Sequence, residues 1–446
     1  MATGSARSAR IRKPEFDLAL LRSLKCRRFG RLTVLFPFSD RSHSPPRVVV
    51  TGAGVVTALG SGWKCNAEGF RVGNVALAPV KLFDVSRQRV KTAGEVELPP
   101  TLPRTLLPER ELRRIDRASK LLLLATHEAW KQAGWEPSDN LPVVLGTTSG
   151  GMSLGQAIYR QAIQTPQKVR RQPTRVVHYQ PQRQARDLMD AFGFAGPATI
   201  IANACASGAN AVGHAWELIR RGHAERVLAG GYEALCQLVF AGFDSLQALS
   251  PTRCRPFDAT RDGLALGEGA GIMTLESLES ARRRGAEIIG ELVGYGSATD
   301  PHHLTQPHPE GNAALAAMEA ACESAKLSAD RIDYVNAHGT GTPLNDAAEA
   351  AALNRWAGAH ATRLAVSSTK SSIGHLLGAA GADEAVLCQM ALKDQWLPPT
   401  STLETPDPAC RFHIVQRPQD ARLEFVLTNS FGFGGANATL IFRRWS

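Results

Sequence analysis

Residues 198–219 read ATIIANACASGANAVGHAWELI. A β-branched, apolar run meets a turn of small residues, and apolar spacing of helical period follows. The pattern predicts strand, sharp turn and helix, with Cys205 carried at the helix entrance. There a thiol faces unpaired backbone N–H groups and the positive end of the helix, both of which favour thiolate. Taken alone, such a cysteine reads equally as a small buried core residue. What shifts the balance lies further along the chain.

Two later glycine-rich turns each carry a histidine. NAHGTGT (336–342) places His338 directly after an apolar strand pattern. KSSIGHLLGAAG (370–381) places His375 near a helix start, five residues after Lys370. A third flexible turn, NSFGFGGAN (429–437), precedes the strand pattern at 438–442. One cysteine and two histidines, all at strand exits, form a candidate catalytic constellation.

Outside these turns the chain reads as repeated α/β units. RVVVTGAGVV (47–56) predicts a strand ending in a Gly-x-Gly turn; the six-residue dinucleotide fingerprint is absent, so no nucleotide site is assigned. Helices are predicted over 109–114 and 118–133, with Trp130 as packing. Residues 158–189, rich in Gln and Arg and broken by three prolines, read as an exposed or interface excursion. Its Lys168, Arg170, Arg171 and Arg175 suit either an acidic partner or plain solvation. In the loop 251–271, Asp258, Arg261, Asp262 and Glu268 read as a salt-bridged brace. From residue 288 the order strand, helix, strand, glycine turn echoes the first part. Two similar halves stacked in layers are therefore expected, with the turns 203–208 and 336–342 in related positions.

Bulk properties narrow the function. The chain has 446 residues and a net charge of +10, but residues 1–46 hold ten Lys/Arg against three Asp/Glu. The remaining 400 residues carry only +3. A basic tail is not a positive field around the body, so nucleic-acid binding is disfavoured. No apolar stretch reaches membrane-spanning length. Eight cysteines without CxxC pairs argue against a disulfide framework or thiolate zinc site and fit a reducing compartment. Residues 1–46 read as a disordered extension, an organelle-targeting segment or an upstream start; the first, dispensable for function, is preferred. The default compartment is the cytoplasm.

The four turns in this order resemble the elongating, Cys-His-His type of β-ketoacyl-acyl-carrier-protein synthase, over about residues 47–444. PFDATRDGLALGEGAG (256–271) and PPTSTLETPDP (398–408) support the match. The resemblance implies a thiolase-like α/β fold of five layers, α-β-α-β-α, built from two similar halves. In this chain those halves are 47–287, carrying the cysteine, and 288–446, carrying the histidines. It implies a nucleophilic Cys205, with His338 and His375 at the decarboxylation and condensation site. Lys370, buried against Glu349, and Glu349 itself provide electrostatic support. The backbone N–H groups of Cys205 and Phe433 form the oxyanion hole, and the Phe433 ring forms a gate. Thr340, Thr342 and Phe431 contact substrate, the threonines holding the phosphopantetheine arm or rigidifying their own turn. That arm arrives on an acyl carrier protein, the expected partner; no cofactor or metal is required. A homodimer is expected, with a heterodimer of related subunits as the alternative.

The implied reaction is decarboxylative condensation of an acyl group on Cys205 with malonyl-acyl-carrier protein in fatty-acid synthesis. A specialised polyketide or aryl-polyene ketosynthase, and a non-catalytic carrier-binding scaffold, are the alternatives. Two departures stand out: Tyr179-Gln180-Pro181-Gln182-Arg183-Gln184 replaces an Asn-Met-Ala-type segment, and Thr402 stands where Asn is usual. The first leaves the chemistry intact but opens the question of acyl length.

Overall fold

The computed structural model describes residues 44–169, 176–177 and 179–446. Arg170, Arg171, Arg175, the Lys168 side chain and all of the basic extension up to residue 43 lie outside the described residues. Among the described residues no helix is long and apolar enough to cross a membrane, and no described cysteine is in a disulfide.

The first strand differs from its expected form. β1 (Val48–Thr57) runs ten residues straight through the glycine pair, buried throughout. The reason is a helix. α1 (Arg117–Ala133) crosses so close that a Cβ at Gly52 would overlap the Ala129 carbonyl, and one at Gly54 the Ala125 carbonyl. The glycines allow backbone contact rather than a turn. Gly54→Ala is therefore expected to lower stability by on the order of 3 kcal/mol, read as a lower urea midpoint at unchanged m. An unchanged midpoint would contradict this packing. α1 starts at an Asp116 cap that accepts the Ser119 N–H (2.8 Å) and ends at a left-handed Gly134. Trp130 packs as expected, among Trp135, Phe192 and Phe194.

Apart from two-residue strands at Gly60–Ser61 and His413–Ile414, five strands make the first half of the sheet: β1, β2 (Val143–Gly146), β3 (Ala198–Ile201), β4 (Arg226–Glu233) and β5 (Gly269–Ser277). Their spatial order is β3-β2-β4-β5-β1. The second half is β6 (Gly290–Thr299), β7 (Tyr334–Asn336), β8 (Ala365–Ser367), β9 (Phe425–Phe431) and β10 (Ala436–Arg444), in the order β8-β7-β9-β10-β6. Each half has its second strand parallel to the third and fourth, then two antiparallel steps. The repeat suspected from the sequence is thus a repeat of topology. β1 and β6 pair antiparallel at Val48–Val50 and join the halves.

Helices complete the layers. α4 (Ser207–Arg220) and α8 (Ala380–Asp394) pack on each other and against strands of both halves, within the largest core cluster. α8 is buried from Ala380 through Leu392, which explains why its apolar and small residues show no one-sided stripe. α1 and α3 (Pro181–Phe192) cover one outer face, and α6 (Asn312–Ala325) with α7 (Pro343–Ala357) the other. The five-layer thiolase-like fold follows.

The excursion expected at 158–189 is partly corrected. α2 (Met152–Gln164) is half-exposed, but Pro181 opens α3, where a proline in the first turn forfeits no helical hydrogen bond. Gln184, Ala185, Asp187, Leu188 and Met189 of α3 are buried, and Asp187 pairs with Arg183 at 2.8 Å. The brace in 251–271 is present, with partners far off in sequence: Glu268 with Arg117, and Arg261 with Asp407. Asp258 accepts the N–H groups of Thr405 (2.7 Å) and Glu404 (2.9 Å). Thr402 donates to the Cys254 carbonyl at 2.6 Å, a structural role.

Candidate active site

Cys205 stands where β3 gives way to α4. The chain bends through Ala204, whose φ of 57° lies in the left-handed region that alanine rarely occupies. A single 3₁₀ turn (Ala204–Ala206) then feeds the helix. The Ser207 hydroxyl secures the bend, accepting from the Asn203 N–H (2.9 Å) and donating to the Ala204 carbonyl (2.6 Å). The thiol is thereby fixed at the floor of a cleft of about 360 Å³, which His338, Thr340, Thr342, His375, Phe431 and Phe433 also line.

His338 follows β7. Two carboxylates on the first turns of α7 hold its glycine-rich turn. Glu349 accepts the N–H groups of His338 (2.8 Å) and Gly339 (2.7 Å), and Asp346 those of Thr340 (3.0 Å) and Gly341 (3.1 Å). His375 follows β8 and a short helix from Lys370 to Ile373. Its own N–H donates to Ala265 (2.7 Å), and its carbonyl accepts from Gly267 (2.9 Å). Cys205 Sγ and one ring nitrogen from each histidine lie within 4.8 Å of one another, all buried. The imidazoles meet edge to face at 5.3 Å and 84°, with the Phe431 ring 5.6 Å from His338.

Their topological kinship differs from the one expected. Cys205 follows the third strand of its half, and so does His375. The turn 336–342 follows a second strand, so its counterpart is the turn after β2 at Thr147–Ser149. Glu233 braces that turn, accepting the N–H groups of Thr148 (2.8 Å) and Ser149 (3.0 Å) much as Glu349 does for His338.

The electrostatics also depart from expectation. Burial pushes the Cys205 thiol up to about 11, although the Lys370 charge and the N–H groups of Phe433 and Cys205 itself act to lower it. For this buried thiol desolvation outweighs the helix end. Burial, reinforced by the Lys370 charge, holds both histidines well below their ordinary value. At neutral pH the resting site is thus a thiol facing two neutral imidazoles. Alkylation of Cys205 by iodoacetamide is expected to quicken about tenfold per pH unit between pH 7 and 10, since only thiolate reacts and its fraction rises toward the pKa. Peptide mass mapping gives the rate; a pH-independent rate would mean that the helix end wins.

Lys370 is buried as expected but bonds elsewhere. Its ammonium donates to Glu384 of α8, not to Glu349. The carboxylate of Glu349 is occupied by the His338 turn, and both Glu349 and Glu384 are pushed up to about 7 by burial. The sequence reading missed Glu384, Asp346 and Asp300. Asp300 accepts the N–H groups of His302 (3.0 Å) and His308 (2.8 Å), folding a loop at the cleft mouth. The Leu304 carbonyl of that loop accepts from Gly434 (2.7 Å), tying it to the turn that carries Phe433. The Phe433 ring stacks on Phe243 of α5 (Gln237–Ser245) at the same mouth (6.0 Å, 21°), and the Thr340 and Thr342 hydroxyls bond to each other at 2.9 Å.

The fold and site match known proteins. The profile for the β-ketoacyl synthase N-terminal domain matches residues 46–281, and that for the β-ketoacyl synthase C-terminal domain residues 289–404. The chain belongs to the β-ketoacyl synthase family. The 3-oxoacyl-acyl-carrier-protein synthase 2 of Staphylococcus aureus is 38% identical over 411 residues, covering 90% of this chain and 98% of the relative. Among solved structures, the ishigamide ketosynthase/chain length factor aligns with a TM-score of 0.83 at 32% identity, covering 90% of this chain and 100% of that one. A β-ketoacyl synthase from Burkholderia phymatum aligns at 0.81 and 35%, with the same coverage. The pairing of Cys205 with two histidines in this family member thus rests on residues drawn from both halves of a β-ketoacyl synthase fold.

Proposed function

We propose that this synthase condenses an acyl group held on Cys205 with a malonyl thioester, releasing carbon dioxide and a β-ketoacyl thioester. The observation that carries the reading is the convergence of Cys205, His338 and His375 within 4.8 Å at the floor of one cleft. Cys205 gives up its proton and its sulfur attacks an acyl thioester; a new S–C bond forms, the C–S bond to the carrier breaks, and the departing carrier sulfur takes up a proton and leaves as thiol. The Phe433 and Cys205 N–H groups that face Sγ can stabilise the tetrahedral oxyanion. The malonyl thioester then loses its carboxylate, and the resulting enolate oxygen takes hydrogen bonds from two neutral imidazoles. His375 has both ring nitrogens free of protein partners, so it can donate to a substrate. The enolate carbon attacks the acyl-Cys205 carbonyl, a C–C bond forms, and Cys205 departs. Thr340 and Thr342 at the cleft wall suit the phosphopantetheine arm, Phe431 the thioester and Phe433 a gate. Glu349 and the Lys370–Glu384 pair act as positioning groups behind the histidines. The arm is delivered by an acyl carrier protein to a homodimer in the cytoplasm, with 47–287 and 288–446 as the two halves.

The identity to a 3-oxoacyl-acyl-carrier-protein synthase supports elongation in fatty-acid synthesis. The likeness to a ketosynthase paired with a chain length factor favours a second reading, a polyketide-type ketosynthase with a related subunit. Intact-protein mass spectrometry after incubation with acyl carrier proteins of graded chain length tests both. Adducts on wild type and none on Cys205→Ala support condensation, and the preferred length separates the pathways. No adduct from any carrier would overturn the reading.

A further inference from the structure

We propose that Cys205, His338 and His375 also form a three-ligand site for a thiophilic divalent cation, zinc, which silences the nucleophile reversibly. The condensation reaction needs no metal, so this is a second property of the same three side chains. It stands whether or not the acyl substrate is the one inferred above.

Geometry is the first argument. One thiol sulfur and two imidazole nitrogens within 4.8 Å of one another are the donor set of a Cys-His-His zinc site. A tetrahedral ion with zinc–sulfur near 2.3 Å and zinc–nitrogen near 2.0–2.1 Å needs ligand separations of roughly 3.3–3.6 Å. Side-chain movements of about an ångström close that difference. The fourth position falls on the cleft itself, open to water. Three protein ligands and one open position make an exchangeable site rather than a sealed structural one.

The second argument is what the histidines leave unused. His375 is 1% exposed, yet neither ring nitrogen has a protein partner, and Nδ1 of His338 is likewise unpartnered. A buried imidazole facing a sulfur with its nitrogens uncommitted has no competing hydrogen bond to break when a metal arrives. The charge nearby opposes the ion only in part: Lys370, whose charge disfavours imidazolium at both histidines, is paired with Glu384. On binding, Sγ gives up its proton to the buffer and joins the ion as thiolate, so one proton leaves per ion bound.

The consequence is a mutually exclusive pair of states. An acyl or alkyl group on Sγ removes the thiolate ligand, and a bound ion removes the nucleophile. Metal should therefore block loading of Cys205 but leave an already loaded enzyme untouched.

The test uses the full chain, stripped with a chelator and titrated with cobalt(II) alone as a spectroscopic probe. Expected are one ion per chain, a sulfur-to-cobalt charge-transfer band, release of one proton, and displacement of the band by zinc. Zinc at saturation should slow iodoacetamide alkylation of Cys205 at least tenfold, and a chelator should restore it. The band should survive Cys65→Ser, which removes an exposed thiol, and vanish in Cys205→Ser. Wild type alkylated at Cys205 should also lack it, which covers the case of a variant that folds poorly. His375→Ala should weaken binding at least tenfold. Absence of the band in a wild type whose Cys205 still alkylates, or an equal band in Cys205→Ser, would overturn the proposal. Neither result would bear on acyl loading, which the mass measurement reads separately.

Discussion

Cys205→Ala is expected to lower the condensation rate by at least on the order of 10⁴-fold while leaving the protein folded. On the proposed mechanism Cys205 holds the acyl chain, and among the described residues no second thiol lines the cleft. Alanine fits the space and forfeits only a small buried group, so the loss of stability should be about 1 kcal/mol. The histidines, the Phe433 N–H and the cleft wall are untouched. Release of carbon dioxide from a malonyl thioester should therefore persist in the variant, uncoupled from C–C bond formation. Product mass and labelled carbon dioxide, followed together, separate the two steps. A variant that kept a tenth of wild-type condensation would remove Cys205 from the mechanism.

The second large effect concerns Lys370. Its side chain and that of Glu384 are each 2% exposed, so Lys370→Met strands a carboxylate in the helical layer between the two halves of the sheet. Breaking a buried ion pair from one side costs about 3–5 kcal/mol, and the lower end is expected because Glu384 can take up a proton. The double variant Lys370→Met with Glu384→Leu should recover most of that loss, since both charges are then gone. Denaturant titration of the two variants gives the comparison. Catalysis should not recover. The Lys370 charge helps hold His338 and His375 neutral, so without it their pKa values rise and imidazolium appears at higher pH. The acid limb of the rate profile should move to higher pH in both variants. Restored stability with an unmoved acid limb would show Lys370 to be structural alone.

Much of this was legible in the chain because the reacting groups sit in contiguous turns. Cys205 and His338 follow their strands within a few residues, His375 comes one short helix after its strand, and glycines near an imidazole or thiol mark a backbone held close to something. Partners brought together by tertiary packing were not legible. Lys370 reaches Glu384, fourteen residues on, because α8 turns back beneath the His375 loop. Glu349 appears equally suitable by charge, but its oxygens are taken up by N–H groups that no sequence pattern displays. The same limit explains β1. Gly52 and Gly54 look like a turn until the crossing of α1 supplies another reason for having no side chain. The thiol's resting state is not legible in the sequence, because a helix end is visible there whereas the depth of burial that opposes it is not.

The pairing of β1 has a consequence for how the protein is made. Val48 lies opposite Ser277 on one side and Leu292 on the other. Both neighbours leave the ribosome more than two hundred residues after β1 does. Until then the strand pairs only at its far end, with Gly60–Ser61, and its closure waits on contacts of very long sequence separation. Once β5 has docked, β1 is left as an outer strand of the nascent first half with one edge bare, and the next strand to emerge is β6. The edge that would otherwise invite aggregation becomes the template on which the second half begins.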